Sequence, residues 1–153
     1  DGVKSLADVV EFNRQNSEIA LAHFEQEYFD IAVASGGRNE TYKAARERNL
    51  EWAITKVITP ALADVDVLIG IPYAPAWVST LGQGDDFENA SWMTHAPAIA
   101  GWPLGSLPMG LVDGLPVGLG VAARANDEKG LVRAMAIIER VLDLGEFRPS
   151  FVR

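Results

Sequence analysis

The stretch GWPLGSLPMGLVDGLPVGLGVA, Gly101 to Ala122, reads as two apolar strands joined by a tight turn. Asp113-Gly114 supplies the reversal, because glycine tolerates the positive φ that a two-residue hairpin loop needs. Leu104, Leu107 and Met109 lie on the first arm, with Val117, Leu119 and Val121 on the second. Few polar side chains interrupt either arm, so both faces of the pair are predicted to be buried. Gly105, Gly110, Gly118 and Gly120 pack no side chain of their own. They mark either a tightly packed core hairpin or places where another backbone or a ligand comes close.

Working outward, Val65 to Ile71 is a further apolar strand. It leaves through Ile71-Pro-Tyr-Ala-Pro-Ala-Trp77, which two prolines stiffen by fixing φ. Val78 to Ala90 reads as a long exposed loop, and Ser91 to Ala100 as a short helix or turn. Upstream, Ser5 caps a helix running to about Asn13, with Asp8 as its near-capping-box partner. Ser17 caps a second helix, on which Ala20, Phe24, Tyr28 and Ile31 repeat at helical spacing until Gly36-Gly37. Asn39 opens a third, whose stripe is Tyr42, Ala45, Leu50, Ala53, Ile54, Val57 and Ile58 and which fades near Leu62. Downstream, Asn126 caps a last helix with Leu131, Ala134, Met135, Ile138, Val141 and Leu142 on one face, ended by Gly145. Helices flanking apolar strands predict an α/β fold. The sheet is expected to be small and mixed, with strands near 66–71, 104–111 and 116–123, covered by helices. Residues 1–153 are read as a single domain, with a helical segment over 1–63 and a strand-and-helix core over 64–145.

The 153 residues leave room for one domain with a real core. The formal net charge of −8 argues against non-specific binding to nucleic acid or an anionic membrane, both of which require cationic surface. With no cysteine, neither a disulfide nor a thiolate nucleophile can form. No run approaches the roughly 18 apolar residues of a membrane span. The compartment is left open, with the cytoplasm favoured over secretion. The chain opens on Asp1 in what reads as mid-protein sequence, so a fragment of a longer chain is expected.

Ala98-Ile-Ala-Gly-Trp-Pro103, Pro108-Met-Gly110 and Asp113-Gly-Leu-Pro-Val-Gly-Leu119 together resemble the closing region of the amidase signature family. There a helix end of small residues reads AGxP and is followed by a PxG strand and a GLPVGL strand. Leu6 to Asn13 is similar to the family's LxxxxxFN segment. Pro75-Ala-Trp77 and Val112-Asp-Gly-Leu-Pro116 look like the peptide-amidase-like members. Arg124-Ala-Asn126 departs from the Gly-containing turn of many members. The resemblance is strong from about Asp66 to Leu142 and implies the C-terminal part of a larger amidase fold. It also implies amide-bond hydrolysis by a Ser–Ser–Lys triad held in a Gly/Ser-rich tract with a preceding lysine. No such tract follows Lys4, Lys43, Lys56 or Lys129. No catalytic residue and no cofactor is therefore expected in this chain, and the chain alone is expected to be inactive. The alternatives are an A-type amidotransferase subunit, working with transfer RNA and protein partners, and a non-catalytic binding module.

Other constellations are weaker. His95 with Ser91 and Ser106 lacks the GxSxG elbow of a serine hydrolase. His23 and Glu27 stand at i, i+4 but are only two ligands, so no metal site is expected. Gly118-Leu-Gly-Val-Ala-Ala123 matches GxGxxA, yet its glycines sit inside a strand rather than at a strand-to-helix turn. Asp85, Asp86 and Glu88 lack the further spaced ligands of a hard-cation site and read as a solvated loop. The residues expected to meet substrate, by the resemblance and by the flat apolar surface they offer, are Trp77, Trp92 and Met93. The substrate expected for the parent enzyme is a small amide or a peptide amide. A fragment is expected to leave an apolar face uncovered and to self-associate through it.

Overall fold

The computed structural model describes residues 2–78, 80–84, 91 and 93–145. These form two compact units, one up to Arg46 together with the stretch at 80–84, the other from Glu47 to Val78 and from Ser91 onward.

In the first unit α1 (Leu6–Gln15) begins with a complete capping box. The Ser5 hydroxyl accepts the Asp8 N–H at 3.2 Å, and the Asp8 carboxylate accepts the N–H groups of Ser5 at 2.8 Å and Lys4 at 2.9 Å. The second helix, expected to be continuous, is broken into α2 (Ser17–Ala20) and α3 (Glu27–Ala34). Its N-cap position falls on Asn16, one residue before the expected Ser17. Gln26 explains the break. Its side chain accepts from Asn13 Nδ2 at 3.0 Å and donates to the Val10 carbonyl at 3.2 Å. Held from α1 in this way, Gln26 adopts a non-helical φ of −123°. Arg14 adds an ion pair to Asp30 at 2.6 Å between α1 and α3. Phe24, Tyr28 and Ile31, which repeat at helical spacing, are exposed.

The next helix starts at α4 (Glu40–Leu50), where Asn39 Oδ1 accepts the Tyr42 N–H at 3.0 Å. It continues through a π-helical segment, Glu51–Ile58, into α5 (Thr59–Ala61). The wider bonding is seen where the Thr59 N–H reaches back five residues to the Ile54 carbonyl. In the second unit Ala53, Ile58 and Leu62 are buried, and the π-helical segment packs against α6 (His95–Ala100), whose Ala96 and Pro97 are also buried.

The sheet has the order β1-β3-β2, with β1 Val67–Gly70, β2 Leu104–Val112 and β3 Leu115–Ala123. The three strands lie close to their predicted positions, but the mixed pairing expected from the sequence is not found. Both described pairings are antiparallel. The Asp113-Gly114 loop (φ 50° and 77°, the I′ pattern) folds β3 back between β1 and β2. β1 and β2 thus run in the same direction without touching, joined through α6. Pro108 faces Gly118 and Gly110 faces Val117, so Met109 is an extra residue in a β-bulge. The hairpin is buried only at its base: Leu107 and Val121 are enclosed, whereas Leu111, Val112 and Leu115 near the tip are exposed.

The last helix, α7 (Glu128–Leu142), is capped by Asp127, one residue after the expected Asn126, which itself takes a left-handed φ of 61°. The Asp127 carboxylate accepts the Gly130 N–H at 2.9 Å. Leu131, Met135, Ile138 and Leu142 of α7 pack with Leu107, Leu119, Val121, Ala123 and Val67 to form the core. Val141, expected on this face, is exposed. Just beyond β3, the Arg124 guanidinium donates to the Leu62 carbonyl and ties the sheet to the end of the preceding helix.

Two outcomes follow from this packing. Leu131→Ala leaves a cavity between α7 and the sheet and should lower unfolding free energy by about 2–5 kcal/mol, read from urea denaturation followed by circular dichroism. The N–H donors of Lys4 and Ser5 and the Ser5 hydroxyl hold the Asp8 carboxyl below the usual carboxylate range, the Lys4 N–H foremost. A carboxyl lowered in the folded state stabilises above its unfolded pKa of about 4 and loses that contribution as pH falls through the lower folded value. Fraying of α1, read from the Ser5 and Asp8 amide resonances, should therefore increase below about pH 4 in the natural sequence and be independent of pH there in Asp8→Asn.

Candidate functional site

Alternation along β3 points Leu119, Val121 and Ala123 toward α7 and leaves Gly118, Gly120 and Ala122 on the opposite face. Gly70 of β1 is the cross-strand partner of Gly120, so two bare backbones lie side by side there. Three side chains, those of Met93, Pro72 and Ser106, occupy this floor. A Cβ at Gly120 would lie 2.7 Å from Met93 Sδ, 3.2 Å from the Gly70 carbonyl oxygen and 3.3 Å from Pro72 Cβ. At Gly70 it would lie 3.4 Å from Met93 Cγ, and at Gly118 it would lie 2.5 Å from Ser106 Oγ and 3.5 Å from Pro72 Cγ. On the α7 face, Gly105 is occupied in the same way by Met135, whose Sδ would be 2.5 Å from an added Cβ. At these four positions the glycines make room for side chains of the chain itself. Gly110, with a φ of 152° and open space around it, instead serves the bulge.

Pro72 begins the stiff segment that carries Trp77. The Trp77 ring lies 5.8 Å from that of Tyr73, tilted by 37°. The pair is 36–37% exposed, so it presents an aromatic surface to solvent while its inner side stays covered. Met93, half-buried, stands immediately before α6 with its thioether on the glycine floor. Of the residues expected to meet substrate, Trp77 is thus on a partly open surface and Met93 is seated on the sheet. Trp92 lies outside the described residues, as do Asp85, Asp86 and Glu88. Tyr73 and Pro72 do not stand out in the sequence as site residues. Their signal is an aromatic four residues before Trp77 in a segment set by two prolines.

The remaining polar candidates have local roles. Ser91 Oγ accepts the Met93 N–H at 3.2 Å and shapes the turn into α6. His23 and His95 are both exposed. Lys43 pairs with Glu40 at 2.7 Å and Lys56 with Glu51 at 3.2 Å, with both lysine side chains more than 60% exposed. A lysine base needs burial away from water and charge, and neither has it. Among the described residues no group of three or more His, Asp or Glu could hold a metal ion, and no helix is long and apolar enough to cross a membrane.

No protein-family model matches the chain. It is 31% identical over 125 residues to the A-type subunit of the glutamyl-tRNA(Gln) amidotransferase of Latilactobacillus sakei, a match covering 79% of this chain and 25% of that protein. It thus spans about a quarter of the length of that relative. The native peptide amidase from Stenotrophomonas maltophilia superposes with a TM-score of 0.86 at 31% identity, over 99% of this chain and 30% of the other. A bacterial aryl acylamidase belonging to the amidase signature enzymes shares the fold at a TM-score of 0.61, with 18% identity over 94% of this chain and 34% of that one. The chain belongs to the amidase signature family and corresponds to a C-terminal segment of its larger members.

Proposed function

We propose that the chain is one domain of an amide-bond hydrolase, in which it supplies part of the sheet and a wall of the substrate pocket while the Ser–Ser–Lys machinery lies in another part of the polypeptide. The observation that carries this reading is the match to a peptide amidase along 99% of the chain at a TM-score of 0.86. The exposed, carboxylate-paired Lys43 and Lys56 favour it too, because neither is placed to act as a base. In this reading Trp77 offers a flat apolar face to the side chain next to the scissile amide, and the substrate is a peptide carboxamide or a small aliphatic or aryl amide. Met93 sets the pocket from beneath, and Trp92 is read as a further substrate contact. The reaction needs no cofactor. A second reading, one chain of an amidotransferase working with partner chains, draws on the 31% identity to the Latilactobacillus protein.

Ammonia release by the natural polypeptide that carries this chain separates the two. Turnover of a peptide amide without partner proteins supports the hydrolase, and release from glutamine only with partners supports the amidotransferase. The 153 residues alone should release none. In the active polypeptide, Trp77→Ala should raise KM for an amide with a bulky neighbouring side chain by about five- to tenfold, with kcat changed little, as loss of uniform binding requires.

We also propose that the chain on its own self-associates. Ile69 on the edge strand β1 and Val132, Ile137 and Val141 on α7 are exposed, Val141 to 78%. Ile137 also borders an open cleft of about 520 Å³, lined by Val67 and Ala134 with charged residues at its rim. Apolar surface of this kind favours association. Sedimentation velocity should show a dimer or larger species that Ile137→Glu shifts toward monomer, and a monomer at all concentrations would remove the idea.

A further inference from the structure

We infer that Gly120, with its cross-strand partner Gly70, is a positioning residue for Trp77. The inference rests on the reading of Trp77 as a pocket wall and adds what sets that wall's place. Pro72 and Met93, from two separate stretches of the chain, meet over the same bare backbone. An added Cβ at Gly120 would be 2.7 Å from the Met93 sulfur and 3.3 Å from Pro72 Cβ, both closer than van der Waals contact. The Gly70 carbonyl at 3.2 Å closes the third side, so the new methyl has no empty direction to take. One of the two seated residues must then lift. The Met93 side chain can swing by rotamer changes, but it also lies over Gly70, where an added Cβ would be 3.4 Å from its Cγ. Pro72 has no such freedom, and its ring fixes the direction in which Tyr73 leaves the sheet. Tyr73 in turn carries the Trp77 ring at 5.8 Å. A displacement at Gly120 is thus passed along a short, stiff path to the aromatic surface.

Gly105 provides the control. There a Cβ would meet Met135 Sδ at 2.5 Å, a clash of the same kind, but on the α7 face of the sheet. Gly120→Ala and Gly105→Ala should both lower thermal stability through overpacking. Only Gly120→Ala should move Trp77.

The test uses the natural full-length polypeptide labelled with 5-fluorotryptophan, the Trp77 resonance being assigned through Trp77→Phe. Gly120→Ala should shift that resonance and Gly105→Ala should leave it in place. Met93→Ala in the Gly120→Ala background, which removes the nearest clashing atom, should return it most of the way. In parallel, Gly120→Ala should raise KM for a bulky peptide amide by about five- to tenfold while changing kcat/KM for a small amide less than twofold. Should Gly120→Ala fail to fold, Met93→Ala alone serves. It empties the seat without a clash and should broaden or shift the Trp77 signal. An unmoved Trp77 resonance in Gly120→Ala and Met93→Ala, or an equal shift in Gly105→Ala, overturns the inference. A moved resonance with unchanged selectivity upholds Gly120 as the positioning residue and overturns Trp77 as a pocket wall.

Discussion

The structure depends on β3 being hydrogen-bonded along both edges and packed on both faces. Over its last residues, where both edges are paired, the strand has no solvent side, and Val121, Ala122 and Ala123 are fully buried. One face must fit the branched side chains of α7. The other must accept Pro72 and Met93 at a spacing that leaves no room for a Cβ. The sequence GLGVAA meets both demands at once, with bulk at Leu119 and Val121 and none at Gly118 and Gly120. The family-like glycines of this strand are therefore explained by packing between layers, and the dinucleotide pattern they imitate has no turn to occupy.

What the residues made legible was whatever depends on near neighbours. The Asp113-Gly114 reversal, the Ser5–Asp8 capping box and the periodic stripe of α7 are all local, and each is found in place. What failed depended on distant partners. The break between α2 and α3 comes from Gln26 being held by Val10 and Asn13, which the helical spacing of Phe24 and Tyr28 could not reveal. The direction of the β1–β3 pairing follows from the hairpin inserting β3 beside β1, a matter of topology rather than composition. The π-helical turn at Glu51–Ile58 has no residue signature at all: its sequence serves an α-helix equally well. In the candidate site, Trp77 and the glycines were readable as unusual, but which side chains occupy the glycine floor was not, since Met93 reaches it from a separate stretch of the chain.

The division of labour in the chain follows from these placements. Its described lysines with ion pairs are on the surface, and Ser91 shapes the turn into α6. Among the described residues the apolar frame between sheet and α7 is well developed.

The order of strands also governs how the sheet can be assembled. The β2–β3 hairpin closes through a two-residue loop, whereas the Gly70–Gly120 pairing closes about fifty residues of chain and so carries a much larger entropic cost. Local pairing therefore precedes the distant one on the way to the native state. Until β1 arrives, β3 is an apolar strand with one open edge, and neither Pro72 nor Met93 has a floor to rest on. The glycine pair belongs to the more distant of the two pairings, so the floor that seats Pro72 and Met93 is complete only where β1 is joined to β3.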